Sequence, residues 1–181
     1  MIILASQSPR RRELFGYITA DFVATSPEVD ETLPHGIAPE EAVMYLSKIK
    51  ARAFKDEGST IVGADTVVSC GGEILGKPKS REDAHRMLSM LSGIEHSVFT
   101  GVTILRGEKS KTFYVETKVK FYDLTDEEID NYIATGEPMD KAGAYGIQGR
   151  GSLLVEGIKG DYFNVVGLPI SRLQREIKGF L

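Results

Sequence analysis

The chain of 181 residues has no tryptophan, a single cysteine and three histidines, and those scarcities close off several chemistries. Cys70 has no second cysteine to pair with, so there is no internal disulfide framework, as expected of a protein kept in a reducing cytoplasm. His35, His85 and His96 are scattered, and with one thiol they build no zinc set. No stretch approaches the ~20 consecutive apolar residues of a membrane span. The N-terminal MIILASQSPRRR places its arginines after its short apolar run, the reverse of a secretory leader. A basic excess is missing too: Lys plus Arg number 22 against 26 Asp plus Glu, a net charge of -4. Broad nucleic-acid binding is therefore not expected, and any polyanion site has to be local. Neither a Gly-x-Ser-x-Gly elbow nor a Ser-His-Asp order occurs, and the Gly143, Gly146, Gly149, Gly151 series lacks the Gly-Lys-Ser/Thr of a P-loop.

What is present has the size and composition of one domain over residues 1–181, able to bury a core of its own. Ile2 to Ala5 is a short buried strand, followed by Ser8-Pro9 as a helix N-cap with proline at the first helical position. Asp21 to Thr25 is a second strand. The stretch from Ser26 to Gly36 is an acidic loop carrying Glu28, Asp30 and Glu31. Apolar spacing predicts a helix from Pro39 to about Glu57. Thr60 to Ser69 has the β-branched character of a central strand and turns at Gly71-Gly72 into Glu73–Leu75. Ser80 and Asp83 form a capping box for a helix with one apolar stripe. Val98 to Leu105 and Lys111 to Tyr122 are two long antiparallel strands around the turn at 106–109. Thr125 and Glu128 cap a further helix that ends at Gly136. Short strands are expected after Gly151, then a closing helix from Pro169 to Phe180. Alternating strands and helices early, with hairpins later, predict an α/β fold with a mixed, twisted sheet and flanking helices.

Three places break the ordinary pattern. Arg10, Arg11 and Arg12 occupy the first turn of a helix, where cations are disfavoured. They either splay into solvent or, with the helix N-terminus, make a phosphate cradle. Lys50 falls inside the apolar arc of Ala42, Val43, Leu46, Ile49, Ala53 and Phe54, whereas Lys48, Arg52 and Lys55 project outside it. A lysine so placed either snorkels or carries a phosphate-binding charge inward. Asp65 interrupts a run suited to a strand buried on both faces, where an ionised carboxylate is costly unless paired or on a metal. Gly63 and Ala64 beside it leave room for a ligand to approach the backbone. Two weaker signals are Lys77-Pro78, an ordinary turn or a second cation, and Gln148, whose amide can read a base edge with paired donor and acceptor.

Six motifs in order carry a resemblance that runs nearly end to end: Ala5–Arg11, Lys50-Ala51-Arg52, Gly63-Ala64-Asp65-Thr66, Gly76-Lys77-Pro78, Gly136–Gly149 and Asn164–Pro169. On these residues the chain resembles the Maf proteins, nucleotide pyrophosphatases once described as septum-formation inhibitors. The resemblance implies a fold of the Maf and inosine-triphosphatase type, usually homodimeric, with the triphosphate in a cleft between two lobes. It implies Asp65 as general base, with Ser8, Arg11, Lys50 and Lys77 holding phosphates. Glu31, or Asp30 in a neighbouring register, would help to bind a divalent cation, Mg2+ or Mn2+. Arg10, Thr66 and Gln148 match positions associated with base choice, and the Arg-Thr-Gln combination resembles the branch acting on dTTP and UTP.

The implied reaction is hydrolysis of dTTP or UTP to the monophosphate and pyrophosphate by water attacking the α-phosphorus, a house-cleaning role toward non-standard pyrimidine nucleotides. The rival readings are a 7-methyl-GTP pyrophosphatase and a nucleotide-binding regulator of cell division that does no chemistry.

Overall fold

A computed structural model describes residues 1–54 and 58–181. In chain order the elements are β1 (Ile2–Ala5), α1 (Pro9–Gly16), β2 (Val23–Thr25), α2 (Pro39–Arg52), β3 (Thr60–Cys70), β4 (Glu73–Leu75), α3 (Arg81–Leu91), β5 (Glu95–Arg106), β6 (Lys109–Phe121), α4 (Asp126–Ala134), β7 (Val155–Lys159), α5 (Tyr162–Val166) and α6 (Ile170–Ile177), with short 3-10 turns between α4 and β7 and after α6. The strands form a seven-stranded sheet in the order β2-β1-β3-β5-β6-β7, and β4 pairs with β3 off that path. Pairing is parallel for β1 with β2 and β3, and antiparallel for β3 with β4 and β6 with β7. The mixed sheet is the one the alternation of elements predicts. Among the described residues no helix is long and apolar enough to cross a membrane.

Two compact units share the chain, one comprising Met1–Thr66, Thr100–Val115 and Gly167–Leu181, the other Val67–Phe99 and Glu116–Val166. Three of their four boundaries fall inside β3, β5 and β6, and the fourth follows α5.

In the first unit Ala5, the last residue of β1, lies opposite Thr25, the last of β2, and Gly63 of β3, so β1 and β2 end level while β3 runs on past them to Cys70. Helix α2 rests on β3 at a distance that only glycine permits. A Cβ on Gly63 would stand 2.2 Å from the Ser47 carbonyl oxygen, and one on Gly101 of β5 would stand 2.2 Å from that of Val43. Gly63 thus serves helix packing, which corrects the expectation that its small size admits a ligand. The buried face of α2 is Ala42, Val43, Leu46, Ser47, Lys50 and Ala51, so Lys50 lies within the buried face. The helix ends at Arg52, with Ala53 as its C-cap, short of the expected Glu57. Lys55, and the rest of that expected tail to Glu57, lie outside the described residues.

In the second unit a core of Val68, Leu75, Val98, Val119 and Phe121 from the strands meets Ala84, Met87, Leu88 and Leu91 of α3 and Ile129 and Ile133 of α4. Those α3 residues are the single apolar stripe expected from the sequence. Thr125 and Glu128 make the reciprocal capping box of α4. Ser80 caps α3 by accepting from the Asp83 amide, but the Asp83 carboxylate accepts from the Lys79 amide and from Arg86, so only half of that expected box forms. Strands β5 and β6 are longer than the sequence indicates and leave only Gly107-Glu108 as the turn, with Gly107 at φ 54°. After Gly151 there is one strand, β7, and the closing helix occupies Ile170–Ile177 before a 3-10 turn at Lys178–Phe180.

Candidate active site

Asp65, inside β3, lies two residues beyond the point where β1 ends against it, just past the C-terminal ends of the parallel strands β1 and β2, where crevices for ligands arise in α/β sheets. Its Oδ1 accepts from Lys50 Nζ at 2.6 Å, and the two side chains are 13% and 11% exposed. The near approach of α2 to Gly63 brings Lys50 within reach: Ser47, one turn earlier, touches the glycine, and Lys50 follows three residues on, on the same face. The same ammonium stands 3.2 Å from Glu31, an exposed residue of the acidic loop after β2. Lys50 therefore does not snorkel; it joins two carboxylates from different parts of the chain.

Arg11 brings a second cation near Asp65 and Glu31. Ser8 caps α1 with its side chain accepting from the Arg11 amide, which fixes the first turn of the helix. From there the guanidinium donates through Nε to the Gly167 carbonyl at 2.8 Å and through a terminal nitrogen to Thr66 Oγ1 at 2.9 Å. Its other terminal nitrogen lies 3.5 Å from Ser6 Oγ. Thr66 Oγ1 in turn shares a hydrogen bond with Thr100 Oγ1 at 2.8 Å. Burial lowers the pKa of Arg11, Asp65 and Glu31 oppose that, and Arg10 adds to it. A guanidinium carries five N–H groups; among the described residues three are committed, which leaves two for an anion. Of the arginine triplet, Arg12 is exposed and Arg10 half-buried.

The structure thus brings together Ser8, Arg11, Glu31, Lys50, Asp65 and Thr66 within the first unit. Arg10 sits beside them on α1. Lys77, after β4, and Gln148, in the glycine-rich segment, belong to the second unit, where both side chains are exposed. The sequence reading missed Ser6 and Gly167, which accept from the Arg11 fork, and Thr100, which bonds the Thr66 hydroxyl beside it. For Gly167 the motif Asn164–Pro169 was a signal, and its φ of 130° explains the glycine. Nothing in the local sequence marks Thr100, a threonine among β-branched neighbours.

A model of the Maf family, described as Maf-like protein, matches residues 1–180. The chain belongs to the Maf family. A relative from Geobacillus sp. (strain WCH70) is 55% identical over 179 residues, covering 98% of this chain and 96% of that protein, and carries the name dTTP/UTP pyrophosphatase. A protein of the same name from Bacillus cereus (strain B4264) is 51% identical over 181 residues, covering 99% of this chain and 95% of its own length. Among solved structures, the Ham1 protein of Staphylococcus aureus superposes with a TM-score of 0.57 at 16% identity over 99% of both chains. A HAM1 protein from Coxiella burnetii gives 0.54 at 13% identity over 98% of both. At those identities the likeness is one of fold, and it bears out the mixed α/β architecture expected for the Maf family.

Proposed function

We propose that this Maf protein hydrolyses dTTP and UTP to the nucleoside monophosphate and pyrophosphate. The observation that carries the reading is the half-buried Asp65 carboxylate, held by Lys50 beside the Arg11 guanidinium, in a chain about half identical to dTTP/UTP pyrophosphatases.

Lys50 orients Asp65 through Oδ1, and Oδ2 takes the proton from a water molecule. The water oxygen bonds to the α-phosphorus as the bond from that phosphorus to the bridging oxygen breaks, and pyrophosphate leaves with that oxygen. The two uncommitted N–H groups of Arg11 meet phosphate oxygens, and their rigid setting means little rearrangement as charge develops. Ser8, while capping α1, keeps its hydroxyl proton for the same purpose. Lys77 is assigned a further phosphate charge, and Arg10, Thr66 and Gln148 the choice of base.

Glu31 fits one side of a Mg2+ or Mn2+ site. Its exposed carboxylate already meets a cation, and such ions often take only one or two protein carboxylates, with phosphate oxygens and water completing the shell. Among the described residues no group of three His, Cys, Asp or Glu side chains stands ready to hold a metal ion. The bound ion would supply charge neutralisation at the phosphates. Residence in the cytoplasm and assembly as a homodimer belong to the same proposal.

Pyrophosphate release from dTTP, UTP, CTP and 7-methyl-GTP, with and without Mg2+, tests the reading. Turnover should be fastest with dTTP and UTP and should collapse in Asp65→Asn through kcat rather than binding. Preference for 7-methyl-GTP would move the enzyme to another branch, and no turnover of any nucleotide would leave only a binding protein.

A further inference from the structure

The residues around Gln148 are held in a way the reaction itself does not require. Glu137 opens a 3-10 turn just after α4, on a chain reversed by Gly136 at φ 76°. Its carboxylate accepts three hydrogen bonds: the Gly151 amide at 3.0 Å and the Tyr132 hydroxyl at 3.0 Å on Oε1, and the Arg150 amide at 3.1 Å on Oε2. Tyr132 Oη accepts in turn from the Gly146 amide at 3.2 Å. The segment 146–151 is thereby pinned at both feet, Gly146 through Tyr132 and Arg150-Gly151 through Glu137.

Between the feet only Ile147, Gln148 and Gly149 remain. Ile147 is buried and Gln148 is exposed at the crest. The glycines make this fit possible. Gly149 has φ 61°, and a Cβ there would stand 2.9 Å from Glu137 Oε2; a Cβ on Gly151 would stand 1.9 Å from the Gly146 carbonyl oxygen. Burial pushes the Glu137 carboxyl upward, but the Gly151 and Arg150 amides, the Tyr132 hydroxyl and Lys141 outweigh it and hold it below the usual range. A charged acceptor on backbone amides makes hydrogen bonds roughly twice as strong as neutral ones.

We propose that Glu137, acting with Tyr132, is a positioning residue that aims Gln148 and so sets the preference for uracil and thymine over cytosine. It touches no reacting atom. The proposal rests on the assignment of Gln148 to the base. Uracil and thymine offer an N3–H donor beside the O4 acceptor, and cytosine offers the reverse pair. A loosely held amide can turn over and satisfy either. Discrimination therefore depends on where the amide is carried, and an arch of three residues between two anchored feet fixes the backbone that carries it.

The test compares kcat and KM for UTP and CTP in four variants. Glu137→Ala removes both amide acceptors. Glu137→Gln keeps one. Tyr132→Phe keeps the ring and drops the hydroxyl that links Gly146 to Glu137, and Gln148→Ala removes the reader. The expected result is a roughly tenfold fall in the UTP-to-CTP ratio of kcat/KM for Glu137→Ala and a smaller fall for Glu137→Gln and Tyr132→Phe. The loss should lie mainly in KM for UTP, and adding Glu137→Ala to Gln148→Ala should change the ratio less than twofold. A merely structural role would lower the melting temperature and kcat for both nucleotides and leave the ratio alone. That pattern, alongside a relaxed ratio in Gln148→Ala, overturns the positioning role. An unchanged ratio in Gln148→Ala instead overturns the assignment of Gln148 to the base, and the inference with it. If Glu137→Ala does not fold, Glu137→Gln and Tyr132→Phe decide.

Discussion

Lys50→Met, set beside Asp65→Asn, tests what the ion pair between the two residues does for stability. At 2.6 Å the Lys50–Asp65 attraction is about 6 kcal/mol before desolvation, taking an effective dielectric of 20. Bringing both charges to 11% and 13% exposure offsets much of that, so the pair itself adds little net stability. Breaking it is different, because an uncompensated carboxylate then stays near the interior. Losing one partner of a fully buried pair costs ~3–5 kcal/mol, and the incomplete enclosure of Asp65, with Arg11 nearby, brings the expected loss to ~2–3 kcal/mol. Glu31, with its side chain 54% exposed, adds at most ~1 kcal/mol. Asp65→Asn strands no charge, since Lys50 keeps Glu31, and should cost only ~1 kcal/mol. The double variant should lose less than the sum of the singles by ~1–2 kcal/mol. Urea denaturation of the four proteins, with equal slopes, gives these values directly. A Lys50→Met protein within ~0.5 kcal/mol of the parent, or an Asp65→Asn protein less stable than Lys50→Met, would refute the reasoning.

Gly63→Ala places a methyl 2.2 Å from a backbone carbonyl that cannot rotate away, so α2 must shift. A loss of ~2–3 kcal/mol on thermal melting and slower pyrophosphate release should accompany it, and a parental melting temperature would show that the helix moves freely. Thr100→Val removes the hydroxyl 2.8 Å from Thr66 Oγ1; KM for UTP should rise severalfold, and an unchanged KM would mean that the Arg11 fork is held without it. His96 lies buried with Nε2 2.7 Å from Tyr145 Oη and its ring edge-on to Phe121, and burial lowers its pKa from 6.5 to about 4. Between those values the unfolded chain binds the proton and the folded one does not. Stability should therefore fall as pH drops from 6.5 toward 4, by about 3 kcal/mol in all. Denaturation across that range should show a steeper fall in the parent than in His96→Gln, most clearly above about pH 5 where carboxylates stay ionised, and equal slopes there would contradict the burial effect.

The legible elements were those whose signals are local. Ser8-Pro9 announced α1, Thr125 with Glu128 announced α4, and the β-branched run before Cys70 announced β3. Asp65 stood out because a carboxylate in such a run needs a partner. The end of α2 was misplaced because helix periodicity fades without a stop signal. Gly63 was misread because a glycine beside a candidate site has two physical reasons to be there, and only the position of Ser47 distinguishes them.

From the sequence alone came the residue types: a carboxylate in an apolar strand, cations at a helix start and on an apolar helix face, and an amide in a glycine-rich segment. Those depend on neighbours within a few positions along the chain. Which carboxylate Lys50 would hold, what commits three of the five Arg11 N–H groups, and why Glu137 matters were decided only by folding. Each joins residues far apart in sequence, and one hydroxyl or one carbonyl looks like any other until the backbone brings it within hydrogen-bond distance.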